Sequence, residues 1–124
     1  FHKWAEPAGV ATECAADLSH DAYWKLYSFY FENQKQITPE NLKEKSKEAL
    51  QGTGIDMAKW EACFDSNGTV ERVRADMAEG QSVGVTGTPG FIINGRLVSG
   101  AQPFQNFKAI IDDAVDFAMD SPDP

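Results

Sequence analysis

Gly84-Val-Thr-Gly-Thr-Pro-Gly-Phe-Ile-Ile-Asn-Gly-Arg-Leu-Val-Ser-Gly100 is the stretch that decides the fold. It contains a loop ending in Thr88-Pro89, an apolar run, an Asn94-Gly95 step and a second apolar run. Asn-Gly between two apolar runs is a strong signal for a tight antiparallel hairpin, because both residues tolerate the positive φ that the turn needs. The spacing predicts strands at residues 91–93 and 97–99. Pro89 has no N–H and pushes Thr88 into an extended conformation. X-Pro is also the one bond where a cis peptide is cheap. The local pattern fits a loop held in one backbone shape for function, and equally an ordinary Gly-Pro connection ahead of a buried strand.

Helical signals dominate on either side. A first helix is predicted over residues 4–17, with Pro7 near its start and Val10, Cys14 and Asp17 or Leu18 on its inner stripe. Ser19 or Asp21 caps a second, whose rings (Tyr23, Trp24, Tyr27, Phe29, Tyr30 and Phe31) point to core packing on more than one face rather than a ligand cage. Thr38-Pro39-Glu40 reads as a helix start, with the helix ending near Gly52 and showing a mixed-charge exposed face. Asp56 caps a helix over residues 57–65, and Thr69 starts another that reaches about Glu79. Pro103 opens a final helix with Phe107, Ile110, Ile111, Ala114, Val115 and Ala118 as its apolar stripe. Helices followed by a hairpin and a helix give an α+β or α/β architecture.

At 124 residues the chain is one domain or part of one. No apolar run approaches the ~20 residues of a membrane-spanning helix. A net charge of −8 and a pI near 4.6 exclude a nucleic-acid binder, which needs a basic face. Negative charge gathers toward the C-terminus, at Asp112, Asp113, Asp116, Asp120 and Asp123, and the last residues are expected to fray. The two cysteines, Cys14 and Cys63, are either buried reduced thiols or one structural disulfide. His2 and His20 have no ligand spacing with them, so no metal site and no cofactor are expected.

Residues 85–95 resemble the cis-proline segment of thioredoxin-fold proteins, in the form found in DsbA-like thiol–disulfide oxidoreductases. Glu13-Cys14-Ala15-Ala16 followed by Tyr23-Trp24-Lys25-Leu26-Tyr27 resembles that family's helical insertion. So does the segment from Trp60 to Ser66, and the segment from Ser99 to Phe104 with its following helix is similar to the family's last strand and helix. The resemblance implies an α/β, thioredoxin-like fold: residues 1–124 as a partial thioredoxin domain, with a helical insertion over about 5–80 and the cis-proline loop, hairpin and terminal helix over 81–120. It implies that the Thr88–Pro89 bond is cis, that Thr88 and Pro89 bind substrate polypeptide, that Val85 and Phe91 pack around them, and that Cys14 and Cys63 form a structural disulfide in an extracytoplasmic protein.

The family's catalytic Cys-x-x-Cys is missing, so no catalytic residue is assigned in this chain. The expectation is a C-terminal portion of a longer oxidoreductase, preceded by a βαβ unit of about 70 residues. Expected partners are extended, cysteine-bearing polypeptides and a redox protein. The hairpin edge, lacking a neighbour, is expected to dimerise or swap strands. A non-catalytic peptide-binding or chaperone-like module, a glutathione-dependent transferase or isomerase of the same fold, and a purely structural helical piece are the alternatives.

Overall fold

The computed structural model describes residues 2–121; residues 122–124, where fraying was expected, lie outside the described ones. The chain forms two compact units, Phe1–Asp76 and Met77–Pro124. Six α-helices are described: α1 (Ala5–Ala16), α2 (His20–Glu32), α3 (Leu42–Leu50), α4 (Met57–Asp65), α5 (Val70–Ser82) and α6 (Phe104–Asp120), with a 3-10 turn at Gln34–Gln36. Two strands, β1 (Gly90–Ile93) and β2 (Arg96–Ser99), precede α6.

The first unit is a helical cluster built around α1. Val10, Ala11, Cys14 and Ala15 are fully covered, and Leu26, Leu42, Leu50 and Trp60 close over them. Small side chains on α1 let α2 and α4 approach closely. Trp60 Nε1 donates to the Ala11 carbonyl at 3.0 Å, and the Thr69 hydroxyl donates to the Val10 carbonyl at 3.1 Å. Cys14 and Cys63 form a disulfide between α1 and α4, closing a loop with a sequence separation of 49. Gly68, just beyond α4, lies against that bond: a Cβ there would sit 3.3 Å from Cys63 Sγ.

Two helices differ in detail from the sequence expectation. α2 buries only Ala22, Leu26 and Tyr30, a single i, i+4 stripe, so Trp24, Tyr27 and Phe31 are exposed and not core. α3 begins at Leu42, later than Thr38-Pro39-Glu40 suggested. Thr38 and Asn41 instead exchange bonds in the turn before it: Asn41 Oδ1 accepts from the Thr38 amide and Thr38 Oγ1 accepts from the Asn41 amide. The charged face of α3 is also not merely solvated, because Lys43 bridges to Glu61 at 2.8 Å and Asp65 at 2.9 Å on α4.

In the second unit Asn94 and Gly95 take φ of 47° and 82°, the two successive positive values of a tight hairpin turn. The register pairs Gly90 with Ser99, Phe91 with Val98, Ile92 with Leu97 and Ile93 with Arg96. Phe91 and Phe107 meet edge to face at 4.8 Å, which packs β1 against α6. Only Val98 is buried on the hairpin, and no side chain of α6 is. The apolar stripe expected on α6 therefore stands half-exposed or exposed, and β1 is not a buried strand. Among the described residues the sheet has two strands, and α6 packs against β1 through Phe107.

Two ties of the helical unit lead to measurable outcomes. Replacing both Cys14 and Cys63 by serine is expected to lower the unfolding free energy by up to about 4 kcal/mol, the entropy of closing a loop of this length; urea melts followed by circular dichroism read the loss. Asp17 and Glu6 are held below the usual carboxylate range, Asp17 by hydrogen bonds from Arg72 and Glu6 by those from Arg74. A lowered carboxylate stabilises the fold above its unfolded value and stops doing so as pH falls through its folded value, so stability should drop below about pH 4. The Arg72→Ala, Arg74→Ala double variant should lose less over that interval, seen as a flatter plot of urea midpoint against pH.

Candidate functional site

Residues 84–90 form a tightly folded loop between α5 and β1. Gly84, with φ of 90°, turns the chain out of α5, and the Val85 amide donates to the Gly80 carbonyl at 3.0 Å. The Thr88–Pro89 peptide bond is cis. Pro89 then extends the ladder by one bond, its carbonyl accepting from the Gly100 amide at 2.8 Å. Both Thr88 and Pro89 are exposed.

The next position must be glycine for a packing reason. A Cβ on Gly90 would lie 2.9 Å from Val85 Cγ1 and 3.3 Å from the Gly87 carbonyl, so the loop folds back directly onto the strand's first residue. Among the described residues, neither the amide nor the carbonyl of Thr88 has a backbone hydrogen-bond partner. The edge of β1 away from β2 is likewise unpaired. An exposed donor and acceptor at the head of an open strand edge can receive an extended peptide.

The chemistry of the loop is limited to such recognition. Between Val83 and Gly100 the only ionisable side chain is Arg96, at the hairpin turn. No acid, base or thiol stands near Thr88 in the chain, and both cysteines are bonded to each other. The structure places Cys14 and Cys63 in the helical unit and Thr88 and Pro89 in the hairpin unit. Among the described residues no cluster of His, Cys, Asp or Glu has metal-site geometry.

A family model described as the DSBA-like thioredoxin domain matches residues 8–112. The chain belongs to that family. Its fold is therefore the DSBA-like thioredoxin fold, here mostly helical with a small antiparallel sheet. Two curated proteins are similar to it. One is a probable disulfide bond formation protein D of Bacillus anthracis, 28% identical over 115 residues. That match takes in 89% of this chain and 51% of the relative. The other is a Na(+)/H(+) antiporter NhaA of Herminiimonas arsenicoxydans, 28% identical over 111 residues, covering 90% of this chain and 17% of that protein. The chain thus spans about half the length of one relative and a small part of the other. Among solved structures none matches it.

Gly90 and Val85 carry the loop's shape. Gly90 was not singled out in the sequence, although a glycine directly after Thr-Pro and before an apolar strand was a usable signal of close backbone approach. Gly90→Ala is expected to push Val85 aside and shift the amide resonances of residues 85–88 in a heteronuclear NMR spectrum. Adding Val85→Ala should restore most of the original pattern, and an unchanged spectrum in the single variant would contradict the close packing.

Proposed function

We propose that this chain is the peptide-docking part of a thiol–disulfide oxidoreductase that forms or exchanges disulfides in proteins outside the cytoplasm. The observation that carries the proposal is the unpartnered Thr88 backbone at the open head of β1, in a chain of the DSBA-like family. Thr88 offers its N–H to a substrate carbonyl and its C=O to a substrate N–H, a short strand addition that holds a cysteine-bearing segment extended. Pro89, with no N–H, leaves that segment no competing donor. The redox step belongs to a dithiol outside this chain. One thiolate attacks a substrate disulfide and the mixed disulfide is resolved by the second thiol, or the same steps run in reverse to oxidise a substrate.

On this proposal residues 1–124 are one partial thioredoxin domain, with the helical insertion at about 5–80 and the docking loop, hairpin and last helix at 81–120. A setting outside the cytoplasm is supported by the Cys14–Cys63 bond, since disulfides persist in oxidising compartments. Among the described residues no helix is long and apolar enough to cross a membrane. A second reading has an observation of its own: the chain has no free cysteine, which suits a peptide-binding module without redox chemistry.

The 124-residue chain is expected to leave reduced, unfolded ribonuclease unoxidised. A longer polypeptide that carries a Cys-x-x-Cys ahead of Phe1 is expected to oxidise it or to exchange its disulfides. An upstream sequence without that dithiol would move the assignment to the binding module. The open β1 edge is expected to pair two copies when nothing else occupies it, so light scattering should report dimers or larger species. A monodisperse monomer would count against self-pairing.

A further inference from the structure

Two asparagines of the chain, Asn67 and Asn94, precede a glycine. An Asn-Gly step leaves the asparagine side chain open to its own backbone, because the next residue has no side chain to obstruct the approach. The two steps share several features. Both asparagines are exposed, and both hold the left-handed conformation, Asn67 at φ 51° and Asn94 at φ 47°. Each lies in a turn, one between α4 and α5 and the other between β1 and β2.

Their surroundings differ in three respects. The first is the glycine nitrogen. The Gly68 amide donates to the Cys63 carbonyl at 2.9 Å, whereas among the described residues the Gly95 amide has no hydrogen-bond partner. The second is the backbone of the asparagine itself. The Asn67 amide donates to the Phe64 carbonyl, and the Asn67 carbonyl accepts from the Val70 amide, both at 3.1 Å. No such bond holds Asn94 among the described residues; the ladder ends at the pair Ile93 and Arg96. The third is space. A Cβ on Gly68 would sit 3.3 Å from Cys63 Sγ, 3.4 Å from the Cys63 carbonyl and 3.5 Å from Ser66 Oγ. Around the same position on Gly95 nothing lies within 4 Å. The turn at residue 67 is also anchored on either side, by the Cys14–Cys63 bond and by the buried Thr69.

We infer that Asn94 is a site of spontaneous covalent modification, deamidation through a cyclic imide, and that the fold protects Asn67 from the same reaction. The Gly95 nitrogen gives up its proton and attacks Asn94 Cγ. The new C–N bond forms as the Cγ–Nδ2 bond breaks, and the side-chain nitrogen leaves as ammonia, taking up that proton. Water then opens the imide. Addition at Cγ gives aspartate; addition at the backbone carbonyl gives isoaspartate, in which the main chain runs through Cβ and Cγ. Nothing is oxidised or reduced, and water is the one co-reactant.

Ring closure needs the asparagine backbone to rotate out of its turn, so the rate follows how readily each turn opens. Opening at Asn94 costs the pairing of Ile93 with Arg96 at the end of the ladder. Opening at Asn67 costs the three bonds named above, beside a disulfide. Either product puts a new carboxylate two residues from Arg96. Isoaspartate also lengthens the main chain inside a two-residue turn, and the turn fixes the hairpin register.

The test incubates the folded chain in mildly alkaline buffer, then reduces, alkylates and briefly digests it with trypsin, beside an unincubated sample. Residues 75–96 carry Asn94 and residues 60–72 carry Asn67. Mass spectrometry should find the amide-to-acid gain on residues 75–96, split into aspartate and isoaspartate forms. That peptide should convert roughly tenfold or more faster than residues 60–72, the factor that one retained hydrogen bond is worth. In urea with the disulfide reduced, the two should convert at similar rates. The inference is overturned if residues 75–96 fail to convert, if residues 60–72 keep pace with them in the folded chain, or if the unfolded chain shows the same difference. Aspartate without isoaspartate would overturn the imide route. In NMR spectra of the ageing sample the Ile93 and Arg96 amide signals should fade with conversion while those of Ala11 and Cys14 persist. Unchanged hairpin signals in the converted chain would overturn the change of register.

Discussion

Three positions on the buried side of α1 are tied to one short segment, and the helical unit depends on that attachment. The Val10 carbonyl accepts from Thr69, the Ala11 carbonyl from Trp60, and Cys14 is bonded to Cys63. Helix carbonyls in mid-helix already accept one intrahelical bond, and these take a second from a buried donor. Such donors are costly to leave unpaired, so the position of α4 relative to α1 is specified and not merely allowed. Arg72 then reaches Glu13 and Asp17, and Arg74 reaches Glu6, adding exposed ion pairs on the same helix. Pairs at the surface contribute little each, about 0–1 kcal/mol, so the interior bonds and the covalent one set the geometry.

The hairpin unit is held together differently. Its shape comes from backbone constraints: a two-residue turn with positive φ, a glycine strand start packed under Val85, and a proline carbonyl that lengthens the ladder. Its apolar side chains do not close a core. Phe91 and Phe107 meet, but Ile92, Leu97, Ile111 and Val115 are exposed. A well-defined loop thus sits at the head of β1, whose outer edge is unpaired among the described residues, and an unpaired strand edge is what a strand-adding ligand requires.

Much of this was legible in the sequence. The hairpin followed from Asn94-Gly95, because few residues take two positive φ values in succession. The α4 cap followed from Asp56, whose carboxylate accepts from the Ala58 and Lys59 amides. Family membership was carried by the loop, the insertion helices and the last strand and helix together. What the sequence concealed depends on neighbours far along the chain. The rings of α2 have the periodicity of a doubly buried helix, yet only the stripe through Ala22, Leu26 and Tyr30 is buried, with Phe29 packed partly against the core. The stripe on α6 is equally regular and equally uncovered, since periodicity marks which residues share a face and not what lies against it. The fit of Gly90 under Val85 depends on how the loop folds back, which no local propensity encodes.

The Cys14–Cys63 bond bears on biogenesis as well as on shape. A nascent chain leaves the ribosome with both thiols reduced, and docking α1 against α4 holds their sulfurs together. Joining them removes two electrons, so an electron acceptor has to be on hand when the bond forms.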